Sequence, residues 1–119
     1  MALSRPAAAF AAELRNHDWS DAPFRADRAG HDRSMDSNRF VRQLSQDETE
    51  CVRLNVIWVT AQVLGYKDPN FDPYEFAEAA GVSTPTSRGE RDGGIRAGLR
   101  QVDGRYCRPG TWDTPASAF

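Results

Sequence analysis

The sequence predicts a mainly α-helical domain of about four helices with a small C-terminal β-hairpin. Ser45-x-x-Glu48 and Asp72-Pro73-x-Glu75 are helix-start signatures, in which a capping side chain and a glutamate three residues on satisfy backbone N–H groups that have no partner inside the helix. Apolar residues after each start recur at helical spacing. Near the C terminus Asp103-Gly104 and Pro109-Gly110 flank Tyr106 and Cys107, the turn chemistry of a short hairpin. At 119 residues, with 39% apolar and 27% charged residues, the chain has the size and composition of one globular domain spanning 1–119.

The first helix is predicted over about 5–15, capped by Ser4, with Pro6 in its first turn and Ala7, Phe10, Ala11 and Leu14 on one face. Residues 17–44 have neither a helical nor a strand period and contain Pro23, Gly30 and many Asx and Ser residues, so they read as a long irregular segment with short helical turns. A connection of that length inside a small domain is a candidate partner-binding segment, with Trp19 and Phe24 expected to anchor it. The second helix is predicted over about 46–64. Val52, Val56, Val59 and Val63 form one stripe and Leu54, Ile57, Trp58, Ala61 and Leu64 an adjacent one, which makes this the central helix, and Gly65 is expected to stop it. The third helix starts at the Asp72 cap, with Phe71 stapled to Phe76, and ends near Ala80 before Gly81. Ile95, Leu99 and Val102 at i, i+4, i+7 predict a fourth helix over about 92–102, and a frayed tail follows from 114.

No run approaches the roughly 20 apolar residues needed to cross a bilayer. The start lacks the arrangement of a signal peptide, so a cytoplasmic location is expected. Cys51 and Cys107 have no disulfide-framework spacing and are expected to be reduced. Among 15 basic residues only Lys67 is lysine, a bias that suggests a bacterial or phage source rich in GC. The net charge of −2 hides a division: residues 45–82 carry seven acids against two bases, and residues 83–109 carry six arginines against three acids.

The order helix, glycine turn, helix, hairpin in residues 72–113 resembles a winged helix-turn-helix, and "FAEAAGVS" (Phe76 to Ser83) is similar to the first helix and turn of many bacterial DNA-binding units. The resemblance implies a small bacterial or phage DNA-binding regulator. Arg96 and Arg100 would face the groove, supported by Arg88, Arg91, Arg105 and Arg108, in a homodimer on paired half-sites. In this order, though, some ten residues without an apolar anchor separate the turn from the second helix. The alternative is a protein-binding module, such as a phage-type inhibitor or assembly subunit, whose acids Asp47, Glu48, Glu50, Glu75 and Glu78 occupy a basic protein surface. Tyr106 and Trp112 would either anchor the partner or cover the fourth helix.

Catalysis has little support. Asp27, His31, Asp32 and Asp36 are capable acid-base or metal groups, but they alternate with Arg25, Arg28 and Arg33 in a segment whose five acids and five arginines cancel. That pattern points to internal ion pairs and turn caps. The chain has no metal-ligand spacing, phosphate-binding loop or nucleophile elbow, so neither a metal nor a cofactor is expected and no enzyme activity is assigned.

Overall fold

The computed structural model describes residues 3–35, 41–83 and 93–114. The described elements are α1 (Arg5–Asn16), a single 3-10 turn (Arg33–Met35), α2 (Gln46–Lys67), α3 (Pro73–Ala79), α4 (Gly93–Ala97), β1 (Gln101–Val102) and β2 (Arg105–Tyr106). The protein is mainly helical, with one antiparallel two-stranded sheet. No described helix is long and apolar enough to cross a membrane.

α1 packs on α2 and α3, and α3 on α4. Ala7, Ala11 and Leu14 of α1 meet Ile57 and Ala61 of α2 and Phe76, Ala77 and Ala80 around α3, while Ile95 and Leu99 close the far side of the core. Phe10, expected in this face, is 51% exposed. It lies about 60° around α1 from Ala7, at 100° per residue, so the small side chains of Ala7 and Ala11 make the close contact and Phe10 sits on the flank.

The helix starts follow their side chains. Ser45 Oγ accepts the Glu48 N–H (3.2 Å), and Glu48 returns the bond by accepting the Ser45 N–H at 2.9 Å. Asp72 Oδ1 accepts the Tyr74 N–H at 2.9 Å, and the Phe71 and Phe76 rings are 5.4 Å apart. α3 stops at Gly81, whose φ of +102° suits glycine; the Gly81 N–H reaches the Glu78 carbonyl and the Val82 N–H the Ala77 carbonyl, the paired bonds of a Schellman ending.

Three expectations need correction. Gly65 does not stop α2, which runs to Lys67; it is buried inside the helix, and a Cβ there would overlap the Tyr106 ring. α4 ends at Ala97 rather than 102, so Val102 leaves the expected apolar helix face, joins β1 and is 44% exposed. Phe24 is 36% exposed, under the Arg42 guanidinium at 4.8 Å, whereas Trp19 packs against the core, its indole N–H donating to the Leu14 carbonyl at 2.9 Å.

The early end of α4 has a cause in α2. Trp58, Gln62 and Gly65 lie one turn apart along a single face of α2. The Trp58 indole N–H donates to the Ile95 carbonyl (3.0 Å), and a Cβ at Gly98 would overlap the same indole. The Gln62 amide accepts the Arg100 N–H (2.8 Å) and donates to the Arg100 and Cys107 carbonyls at 3.0 and 3.1 Å. These bonds take the groups with which the helix would continue and turn the chain into the hairpin. There Asp103 and Gly104, at φ +53° and +77°, form the turn and pair Gln101 with Tyr106 and Val102 with Arg105.

Candidate functional site

Two polar constellations stand out, the C-terminal arginine surface and a buried ion network in the irregular segment. On the first, Arg96 is exposed on α4 with its guanidinium 5.9 Å from the Tyr74 ring centre. Arg100 is half-buried; its Nε donates to the Thr111 carbonyl at 2.8 Å and its guanidinium lies 5.6 Å from the Trp112 ring centre. Arg108 belongs to the same turn, its N–H donating to the Asp113 carbonyl and its NH2 group lying 3.9 Å from Asp113 Oδ2. Pro109 and Gly110, the latter at φ +77°, shape that turn, which the Thr111 N–H closes on the Arg108 carbonyl. Arg105 is half-buried on β2.

The structure therefore brings Arg100, Arg108 and Trp112 together, while Arg96 stays solvent-exposed at the edge of the Tyr74 ring. Arg88 and Arg91 lie outside the described residues. Tyr106 packs over Gly65 with its ring 6.5 Å from Phe71, and burial raises its phenol pKa. Trp112 is 77% exposed.

The acids of the middle segment fall on two helices. Asp47, Glu48 and Glu50 sit in the first turns of α2, and Glu75 and Glu78 on α3, whose Gly81 end returns beside Arg53 of α2. Glu48 also spends its carboxylate on the capping box, whose Ser45 N–H holds its pKa below the usual glutamate value.

The second constellation centres on Asp21, which sequence patterns did not single out although Asp21-x-x-x-Arg25 has helical ion-pair spacing. Asp21 is 2% exposed, and its Oδ2 accepts from Arg25 Nε (3.0 Å) and Arg33 NH1 (3.3 Å) and lies 3.2 Å from His31 Nε2. His31 is also buried. Its Nδ1 lies 3.0 Å from Asp27 Oδ2, and its Nε2 lies 2.8 Å from Arg25 NH2. The ring thus lies between the Asp21 and Asp27 carboxylates with the Arg25 guanidinium alongside. Both ring nitrogens are engaged within the segment.

The surrounding bonds tie the segment to itself. The Asp18 N–H donates to the His31 carbonyl at 2.8 Å, the Leu44 N–H to the Ser20 carbonyl at 2.6 Å, and Arg33 NH2 to the Val41 carbonyl at 2.7 Å. Burial opposes ionisation of Asp18, but bonds from the Ser20 hydroxyl and N–H and the Arg33 N–H outweigh it and lower its pKa. The Arg28 N–H lowers Asp27, and the Ser34 hydroxyl and N–H lower Asp32. Asp27, His31 and Asp32 are thus ion-pair and turn-cap residues in this fold, and Asp36 lies outside the described residues. Among the described residues no three His, Cys, Asp or Glu groups are placed to hold a metal. Surface depressions of about 270 Å³ beside Phe71 and about 350 Å³ beside Leu44 are lined by neither constellation's central residues.

Fold and sites together define a mainly helical protein that carries an arginine and tryptophan surface on a C-terminal hairpin and turn. No protein-family model, curated protein or solved structure matches the chain.

Proposed function

We propose that this is a non-enzymatic binding protein that takes nucleic acid, DNA in particular, on its C-terminal surface, as a small regulator of bacterial or phage type acting in the cytoplasm. The observation that carries the reading is the exposed Trp112 beside the Arg100 guanidinium in a segment, residues 93–114, with four arginines against two aspartates. Arginine supplies phosphate contacts and counterion release, and an exposed indole supplies a face on which a base stacks.

The winged helix-turn-helix form of this reading shifts its weight from helix to hairpin. α4 has five residues and offers Arg96 toward solvent, too little to fill a major groove as a recognition helix does. Arg96 and Arg108 then serve as the outward phosphate contacts, Arg105 supports them from β2, and Arg100 holds Trp112 in place.

Fluorescence anisotropy with labelled duplex and single-stranded oligonucleotides, at about 50 and 200 mM salt, tests the proposal. Binding that weakens steeply with salt and falls several-fold in Arg108→Ala and Trp112→Ala is expected. An absence of binding to either form at the lower salt overturns it.

A further inference from the structure

The outward side of α2 is written in valine. Val52, Val56, Val59 and Val63 fall within about 60° of one another around the helix, at 100° per residue, roughly opposite the buried Ile57 and Ala61. A helix with one face in the core ordinarily turns charged and polar residues to the other side. Here Val59 is 71% exposed, and Val52, Val56 and Val63 are half-buried. The core takes Ile57 and Ala61 and packs against one side of Val56, the C-terminal segment docks on Trp58, Gln62 and Gly65, and Val59 is used by neither.

We infer that this face is where two copies of the chain associate, α2 against α2 in antiparallel orientation about a two-fold axis. The face is self-complementary. Val52 and Val63 are equidistant from a point between Ile57 and Trp58, as are Val56 and Val59, and as are Glu48 and Lys67. An antiparallel pair centred there sets Val56 against Val59 of the second copy and Val52 against its Val63, an apolar seam spaced alternately by four and three residues. It also brings the exposed Glu48 at the start of each α2 level with the exposed Lys67 at the end of the other, and opposes the two helix dipoles. A parallel pair would stack acid on acid. One helix face about 33 Å long buries less than the roughly 800 Å² per partner of a standard interface, so a weak, micromolar dimer is expected. The inference does not rest on nucleic-acid binding, although a two-fold dimer would present two C-terminal surfaces to paired sites.

Light scattering coupled to gel filtration, or sedimentation equilibrium, over about 1 to 100 μM tests it. The expected result is a mass rising from the 13.2 kDa monomer toward twice that value. Val59→Glu should remain monomeric throughout with an unchanged circular dichroism spectrum and melting temperature, because the side chain is already solvated in the single chain. Lys67→Glu should weaken the dimer several-fold. Orientation has its own readout in Val52→Cys on the seam, made with the exposed Cys51 replaced by serine. In the antiparallel pair the two introduced thiols are about 16 Å apart along the axis, the rise of 11 residues, so mild oxidation should leave them uncrosslinked, whereas a parallel pair would place them side by side on the seam. A wild-type chain that stays monomeric, a dimer unchanged in Val59→Glu, or a rapid disulfide in the Val52→Cys, Cys51→Ser variant overturns the inference.

Discussion

The side-chain amide of Gln62 stands in for a β-strand partner to Arg100. It accepts that residue's N–H and donates to its carbonyl, 38 positions along the chain, and spends its remaining hydrogen on the Cys107 carbonyl. Gln62 is 4% exposed and fully bonded, so its polarity is what fixes the last helix and the hairpin against α2. Replacing it with leucine keeps the volume but leaves the Arg100 N–H and the Cys107 carbonyl without partners, while the Arg100 carbonyl keeps the Cys107 N–H. At about 1 kcal/mol or more for each unmet buried group, Gln62→Leu should lose about 2 kcal/mol in urea unfolding. A loss below about 1 kcal/mol would show that the amide does not hold the segment.

Gly65→Ala should destabilise the protein even though the residue is in a helix interior. Helix propensity alone favours alanine by up to about 1 kcal/mol, but the new methyl group would occupy the Tyr106 ring position, and overpacking of this kind costs about 1 to 3 kcal/mol. The double variant Gly65→Ala, Tyr106→Ala should show strong coupling in a thermodynamic cycle. Simple additivity would remove the proposed contact.

Asp21→Asn removes the carboxylate shared by Arg25, Arg33 and His31 and should unfasten the irregular segment before the helices unfold. A cost of about 3 kcal/mol is expected for breaking a largely buried ion cluster. Hydrogen exchange gives the local readout: the Asp18 and Leu44 amides, which bond within this segment, should lose protection while the Ala61 amide in α2 keeps it.

Acid should weaken the same segment. Asp18, Asp27 and Asp32 are lowered from 3.8, and Glu48 from 4.5. Each group binds protons more readily in the unfolded chain, so its contribution is fully present above those ordinary values and is lost as pH falls through the lower folded ones. The melting temperature should hold steady down to about pH 5 and drop increasingly below pH 4, with Asp18→Asn flattening part of that decline. A melting temperature that rises on acidification would contradict the assignment of these carboxylates as bonded.

Features set by neighbours in sequence were readable in advance. The caps at Ser4, Ser45 and Asp72, the stop at Gly81 and the Asp103-Gly104 turn are local chemistry, and each lies where its residues indicate. The end of α4 was not readable, because Ile95, Leu99 and Val102 have helical spacing and what interrupts them is a tryptophan and a glutamine on another helix. Gln62 reads as a polar blemish in an apolar run until its partners are known. The arginine surface was partly legible: composition located it, but only tertiary structure separates Arg100, folded back on Thr111 and Trp112, from the outward Arg96. The ion network around Asp21 escaped for the same reason, since cancelling charges announce pairing without saying which carboxylate lies at the centre.

The row Trp58, Gln62 and Gly65 bears on how portable the C-terminal surface is. A winged helix can often be cut out and grafted as an autonomous module, carrying its own interior with it. In this chain the last helix and hairpin borrow their interior from α2: an indole over Gly98, an amide bracketing Arg100 and a notch that receives Tyr106. Residues 93–114 expressed alone would leave their template behind. Any transplant of the surface into another protein has to take the central helix along.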